Sequence, residues 1–378
     1  LDFGTYSFKV RIKQLYLKKG PGGITYRIPA LIYLQHVKTF LAFAEKRTSP
    51  ADHDAKILVM RRGTRKKMDL FSSEKEWLEG LELQSATLRD YCPMNPCPVY
   101  EKNSKTVFLF FICVLGNTTE KWQICTGENK TRLCYVTSGD NGQTWSEVRD
   151  LTESVIGETI HNWATFAVGP GHGVQLENGR LIIPAYAYYI PCRCFSYPIP
   201  YTVHPRALSI YSEDEGRTWC LGKMLSKHSC ECEMAEIIDH EGRSHLYCNA
   251  RHTSYRWEAL SGDSAGGTPP SGCQGSVIGF PAPKHDTQTW LLFMHPTSTT
   301  GRSDMGVYLN RSPLHSSKWE EPKIIHTGPS GYSDLAYNGD KGTFSGLMEC
   351  GKETELENAF VTFTFNDVTQ IGGRKKMD

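Results

Sequence analysis

Along this chain, apolar residues come in short runs broken by turns rather than at helical spacing. Ala30–Leu34 is apolar, leads into a polar turn, and is answered by Thr39–Glu45. Lys56–Arg61 continues the series. Comparable strands read from Val107–Val114, Arg132–Thr137, Gly179–Tyr186, Ala207–Tyr211, Ser244–Arg251, Ser276–Phe280, Thr289–His295, Gly306–Asn310 and Ala359–Phe365. Short runs rich in β-branched and aromatic residues, bounded by Gly, Pro, Asn and Ser, are the signature of strands. The longest, Val107–Leu115, has nine residues and reads as a buried strand. It falls well short of the roughly 20 apolar residues that span a bilayer. Helical periodicity is scarce, and the best candidate, Ser73–Leu83, reads equally as a charged loop. Residues 1–20 read as an irregular basic segment, 366–378 as an irregular tail, and Glu258–Gly275, rich in Gly, Ser and Pro, as a loop. No shift in composition divides the chain, so residues 1–378 read as one domain.

One local element repeats. Ser138–Trp145 and Ser212–Trp219 share the form Ser-x-Asp-x-Gly-x-Thr-Trp. In such a turn the Asp carboxylate accepts hydrogen bonds from turn amides. The Gly allows positive φ, and the Trp packs beneath. These aspartates are structural, with no catalytic role. Ser261–Gly266 is a degenerate copy without its Trp, and Ser317-Lys318-Trp319 keeps only fragments. A hairpin motif recurring at long spacing in an all-β chain predicts radial repetition. That is a β-propeller with these Asp-box turns, of six blades of roughly 60 residues each.

Composition narrows the function. The formal net charge is +1, so no global field argues for a nucleic acid partner. The thirteen cysteines include the Cys-x-Cys pairs Cys192/Cys194 and Cys230/Cys232 but no paired Cys-x-x-Cys knuckles. That speaks against a zinc site and for free thiols in a reducing compartment. Three sequons, at Asn117, Asn129 and Asn310, matter only if those loops meet the secretory lumen. No secretory leader is legible, and Leu1 in place of methionine leaves a removed one open. Arg-Lys-Lys-Met-Asp occurs at both 65–69 and 374–378, and nothing explains it.

Candidate chemistry begins at Tyr26-Arg27-Ile28-Pro29. Pro29 is expected to push Ile28 into extended backbone, so Arg27 would project from a strand end. Arg251 and Arg302 stand in similar settings far downstream, Glu231 closes an acidic stretch, and Tyr332 sits in a Gly-Tyr-Ser-Asp turn. Each arginine alone reads as a surface residue. Three of them make an anion site only if the fold gathers them.

With these residues the chain resembles the animal exo-α-sialidases over nearly its whole length. The resemblance rests on Tyr26–Pro29, the two Asp turns, Phe43–Arg47, Met94–Pro98, Trp163–His172, Pro184–Tyr188, Gly272–Ser276 and Gly331–Leu335. Phe108–Val114 and Ser146–Thr152 are similar to the plasma-membrane-associated ganglioside sialidases rather than the soluble cytosolic ones. The resemblance implies a retaining enzyme that cleaves terminal α-linked sialic acid from gangliosides, oligosaccharides and glycoproteins. It also implies peripheral association with the plasma or endosomal membrane, with the cytoplasm as second choice, and neither metal nor organic cofactor.

The same resemblance implies roles residue by residue. Arg27, Arg251 and Arg302 bind the sialic acid carboxylate, since a planar guanidinium grips a carboxylate bidentately, and Glu349 holds Arg27. Tyr332 is the nucleophile, because an attacking carboxylate would meet like charge at an anomeric centre that bears a carboxylate. Glu231, selected over Glu233 and Glu236 only by the family pattern, takes the tyrosine proton. Asp52 is the acid/base; without the family, Asp54 would serve as well. Arg47 holds the sugar, Met94 and Asn95 match an N-acetyl pocket, and Glu120, Tyr186 and Tyr188 match the glycerol side chain. Tyr186 and Tyr188 fit equally as core aromatics. The segment after Asp263 is shorter than in the family, which predicts a trimmed blade. The competing readings are a catalytically silent glycan-binding propeller and a trans-sialidase.

Overall fold

The computed structural model describes residues 11–16, 23–65, 75–252, 256–260, 263–265, 272–283, 287–315, 318–339, 342–351 and 357–369. Its strands pair antiparallel with their sequence neighbours into successive meanders. Thr25–Leu34, Thr39–Arg47 and Ala55–Arg65 form the first sheet with two short outer strands. Tyr91–Glu101, Thr106–Leu115 and Thr131–Ser138 form the second, ending at Arg149–Asp150. Trp163–Val168, Leu181–Tyr189 and His204–Ser212 build the third. Cys232–Ile238, Ser244–Arg251, Arg256–Leu260 and Asp263–Ala265 build the fourth. A seven-stranded sheet completes the chain, running from Ser276–Pro281 through the long strand Lys323–Tyr337 to Glu357–Thr364 and back to Arg11–Tyr16.

Each sheet touches the next in chain order along its inner edge, the third reaching Cys232–Ile238 through Leu181–Tyr189 and the short strand Val174–Gln175, and Lys323–Tyr337 returns to contact Thr25–Leu34. The result is a closed, all-β, propeller-like ring. The chain's two ends share a sheet, with Arg11 opposite Thr362 and Gln14 opposite Ala359, so the ring is closed by backbone hydrogen bonds.

Apolar contacts between neighbouring sheets fill the core. Phe110, Phe108 and Trp219 meet edge-on, and Phe43 meets Trp145. Trp145 and Trp219 are the tryptophans of the two repeated turns. In those turns Asp140 accepts from the Thr144 amide at 2.9 Å and the Gln143 amide at 2.9 Å. Asp214 accepts from the Thr218 amide at 2.9 Å. The Gly216 φ of +86° leaves room where a Cβ would strike the Phe108 ring at 2.2 Å.

Four expectations need correction. The segment 1–20 is not irregular throughout: Arg11–Tyr16 is the closing strand. The tail 366–378 begins inside a short helix, Phe365–Thr369, and residues 370–378 lie outside the described ones. Within Ser73–Leu83 the described residues form strands Lys75–Trp77 and Leu81–Glu82, paired to Ala55–Arg65. The Glu258–Gly275 loop contains paired strand at Arg256–Leu260 and Asp263–Ala265, so Asp263 of the degenerate turn lies in a strand. The shortened stretch that follows it, 266–271, lies outside the described residues.

Candidate active site

Register irregularities gather along the inner strands. Between Arg27 and Ala30, three steps along the chain face two on the partner strand (Glu45 to Phe43). The same single-residue excess recurs between Met94 and Cys97, between Trp163 and Phe166, and between Ser330 and Ser333. Between Ser303 and Met305 the extra residue lies on the partner. A bulge turns a side chain out of the alternation of its strand, and these bulges hold Arg27, Asn95 and Tyr332. Three of the bulges include a non-glycine residue at positive φ: Ile28 at +58°, Asn95 at +56° and Asp304 at +60°. Ile28 is β-branched and was expected to be extended. Its left-handed backbone costs about 1–3 kcal/mol, so the surroundings must hold it there.

Buried carboxylates provide that hold. Glu349 accepts from Arg27 Nε at 2.6 Å and from the Ile28 amide at 2.9 Å through one oxygen, and from the Tyr332 amide at 3.1 Å through the other. Glu45 accepts from Arg47 and, through its second oxygen, from the Asn95 amide at 2.7 Å. Asp334 accepts from the Leu31 amide at 2.6 Å, and Glu233 from the Val277 amide at 2.6 Å. All four are fully buried, and each accepts from an inner-strand amide of a neighbouring sheet. The sequence reading missed Glu45 and Asp334. The available signal was a single acid inside an otherwise buried strand, as in Phe43-Ala44-Glu45.

Above these staples lies a cavity of about 930 Å³. Tyr332 and Glu231 line it, and the Tyr332 hydroxyl donates to Glu231. Arg251 Nη1 lies 2.8 Å from the other Glu231 oxygen and 3.1 Å from the Tyr332 oxygen. The Arg27 and Arg302 guanidinium carbons stand 5.7 and 5.4 Å from the Tyr332 ring centre. So the three distant arginines do converge, around one tyrosine. Arg27 and Arg251 each have a carboxylate partner. Among the described residues none is within ion-pair distance of Arg302. Burial works against the Arg27 and Arg251 charges, but Glu349 and Glu231 beside them hold both above the ordinary arginine range. Burial pushes the Tyr332 phenol well up, and the Glu231 charge adds to this while Arg251 opposes it. Tyr332 therefore rests protonated, with its proton directed at Glu231. Ile28 and Cys273 pack against it as an apolar floor.

The remaining candidates arrange themselves around this centre. Arg47 is buried, bonds Glu45 through Nε at 2.8 Å, and reaches Asp52 Oδ1 through Nη1 at 2.6 Å. Asp52 opens into the cavity with its side chain 78% exposed. Asp54 instead accepts from the Ser49 hydroxyl, within its own loop. Met94, Asn95, Glu120, Tyr186 and Tyr188 all line the cavity, and Tyr188 donates to Glu120 at 3.1 Å. Although the Glu120 side chain is exposed to the cavity, desolvation by the surrounding protein pushes its carboxyl up to about 7, against the Tyr188 hydrogen bond and with the help of the Glu231 and Asp52 charges. The three acids of the Cys230–Glu236 stretch divide. Glu231 faces the cavity, Glu233 is buried beside His172, and Glu236 bonds the Glu177 amide and the Ser244 hydroxyl.

The chain is similar to known proteins at both levels. Residues 38–346 match a BNR repeat-like domain. Sialidase-3 of Bos taurus is 45% identical over 401 residues, covering 94% of this chain and 92% of its own length. Among solved structures, the Hadza microbial sialidase Hz136 superposes with a TM-score of 0.71 at 20% identity, covering 91% of this chain and 66% of that one. The intramolecular trans-sialidase from Ruminococcus gnavus, in complex with oseltamivir carboxylate, superposes with a TM-score of 0.68 at 16% identity, covering 92% and 96%. A propeller-like ring that gathers distant arginines about one tyrosine, joined to these near full-length matches, makes the chain an exo-α-sialidase that belongs to the animal sialidase family, of the sialidase-3 type.

Proposed function

We propose that the protein is a retaining exo-α-sialidase that removes terminal sialic acid, preferentially from gangliosides, while associated peripherally with the plasma or endosomal membrane. The observation that carries the reading is the Tyr332–Glu231 hydrogen bond set among three arginines. The sialic acid carboxylate would be gripped by Arg27, Arg251 and Arg302. Tyr332 attacks the anomeric carbon while Glu231 takes its proton. Asp52 protonates the departing glycosidic oxygen, leaving the sugar bonded to the tyrosine oxygen. Asp52 then takes a proton from water, whose oxygen attacks the same carbon. The bond to Tyr332 breaks and the phenol regains its proton from Glu231. Two displacements at one carbon retain configuration.

An exposed loop acid suits the donor's task, because bound substrate would cover it and shut water away from the proton it transfers. Arg47 steadies Asp52, Met94 and Asn95 receive the N-acetyl group, and Glu120, Tyr186 and Tyr188 receive the glycerol chain. The whole chain acts as one domain. We read the ring as six blades, the seven-stranded sheet being divided at Ser330, where Lys323–Tyr337 changes partner from Ser303–Asn310 to Thr343–Cys350. Similarity to sialidase-3 supports the ganglioside preference.

The test is sialic acid release from the ganglioside GM3 and from soluble sialyllactose, with Tyr332→Phe as control. Loss of release by about 10²-fold or more with an unchanged melting curve is expected. Comparable turnover by the variant would overturn the nucleophile assignment. Equal rates on the two substrates would overturn the ganglioside preference.

A further inference from the structure

We infer that the hairpin Arg193–Pro198, with Tyr201 beside it, is the element that seats the rim of the cavity in the interfacial layer of a lipid bilayer. This rests on the proposed membrane association and says which surface makes it.

Among the described residues, every large aromatic that stands exposed lies in this region. Phe195 is 95% exposed, Tyr201 79% and Tyr197 65%, and Trp122 stands out from the adjoining helix Glu120–Thr126. Exposed aromatics scattered singly mean little, but three within seven residues of a projecting tip are a feature. Phenylalanine, tyrosine and tryptophan together suit the boundary between headgroups and acyl chains, where an apolar ring is buried and a hydroxyl or indole N–H stays wet. Lys130 lies over the Trp122 ring at 5.9 Å and pairs with Glu128. The local charge is therefore mixed, and the attraction expected is apolar rather than electrostatic.

The hairpin is also built rather than loose. Arg193 pairs with Pro198 and Cys194 with Tyr197. The two turn residues, Phe195 at φ +47° and Ser196 at φ +71°, have the left-handed backbone that matches hairpin twist. A bulky residue pays for that backbone, so the fold spends stability to hold Phe195 at the tip. The Arg193 guanidinium pins the base by donating to the His161 carbonyl at 3.0 Å, the Gly127 carbonyl at 3.3 Å and the Ser196 carbonyl at 3.1 Å. Gly127 is required there, because a Cβ would fall 2.7 Å from Arg193 and 2.8 Å from Pro198.

Position links the tip to the chemistry. Helix Glu120–Thr126 begins with Glu120 in the cavity wall, and the chain leaving the hairpin enters that wall at Val203 and His204. Ile190, Val203 and Ala164, with Ile124 and Tyr188 against them, form the apolar base between hairpin and cavity. A bilayer touching Phe195 would thus lie beside the mouth that a lipid-borne glycan must enter. A protein partner is disfavoured by size, since a stable interface engages roughly 20–30 residues a side, whereas a few interfacial side chains suffice to seat a peripheral protein.

The experiment is co-sedimentation of the full chain with phosphatidylcholine vesicles, with and without phosphatidylserine. It compares wild type with the triple variant Phe195→Ser, Tyr197→Ser, Tyr201→Ser and with Phe195→Trp alone. Turnover of soluble sialyllactose, the melting curve and light scattering accompany it. The expected result is that the triple variant loses vesicle partitioning by about tenfold or more, the worth of one half-buried aromatic. Phe195→Trp should keep partitioning, phosphatidylserine should add little, and the melting curve should not move. The inference is overturned if wild type binds neither vesicle, or if the triple variant partitions like wild type. It is equally overturned if the substitutions convert a dimer to a monomer, or if they cut sialyllactose turnover while vesicle binding persists. Failure of wild type to cleave both GM3 and sialyllactose would sink the functional reading, yet leave partitioning to decide this one.

Discussion

Replacing Glu349 with glutamine tests whether a buried carboxylate holds the arginine and tyrosine of the site in place. Glu349 is fully buried and serves three donors with two oxygens. A glutamine of the same shape keeps one oxygen. With that oxygen facing Arg27 and Ile28, its NH₂ faces the Tyr332 amide, donor against donor; turned over, it faces the other two. At least one hydrogen bond is lost, at about 1–3 kcal/mol for an unsatisfied buried donor. Arg27 also loses its countercharge, and removing one partner of a buried pair costs about 3–5 kcal/mol. The Arg27 side chain is 12% exposed, which favours the lower end, so the total is about 4 kcal/mol. At about 2.1 cal/mol/K per residue, a chain of this size unfolds with an entropy of about 0.8 kcal/mol/K. The midpoint should therefore fall by about 5 °C. Sialic acid binding should weaken at least about tenfold, because Arg27 is no longer aimed. Calorimetry with Glu349→Gln, Arg27→Met and the double variant separates the causes. If the uncompensated charge dominates, the double variant regains part of the loss. A Glu349→Gln midpoint within about a degree of wild type, with binding intact, would refute the reasoning.

Two further predictions concern pH. The Glu120 carboxyl is held up to about 7, so what its neutral form contributes is present below its ordinary 4.5 and lost as pH rises through about 7. Wild-type affinity for sialic acid should fall above that pH, as a further negative charge appears near Glu231 and Asp52. Glu120→Gln should remove this fall in a titration of binding against pH, and an unchanged profile would exclude Glu120 from the pocket's electrostatics. His172 is raised well above its ordinary 6.5, since Asp334 and Glu233 outweigh the opposing effect of burial. Its stabilisation is fully present below 6.5 and lost as pH rises through the raised value. His172→Gln should therefore lower the melting midpoint most at pH 5 to 6, with the gap to wild type closing in alkaline solution. A gap that widens with pH would mean the imidazole is neutral in the native state.

How far the sequence reaches can be judged from particular residues. Thr106–Leu115 was legible as Val107–Leu115 because a buried inner strand is apolar on both faces, whatever it pairs with. Arg11–Tyr16 was not, because its alternation of basic and apolar residues is that of a solvated segment. Only the partner Glu357–Thr364, at the other end of the chain, makes it a strand. The same limit applies at Ile28. The residue before a proline favours extended backbone, and that local preference is overridden by a bulge and by Glu349. The Glu120–Thr126 helix, capped by Thr119 and Gly127, was missed because seven residues are too few to establish a period.

The site divides along the same line. The resemblance implied the chemistry, and residue types alone offered no more than a conditional anion site; nothing along the chain says why Arg27, Arg251, Arg302 and Tyr332 meet. Their meeting depends on which strands pair, on where each pairing slips by one residue, and on which buried acid receives the amides freed by the slip. Asp52 and Asp54 illustrate the consequence. Two residues apart and chemically alike, they are told apart only because Arg47 reaches one and Ser49 the other. Arg47 reaches Asp52 because Glu45 fixes it from the buried side, and Glu45 also fixes Asn95 across the gap between two sheets. Glu45 would therefore control the proposed proton donor and the proposed sugar pocket together without touching substrate, which is the kind of role that residue type alone does not reveal.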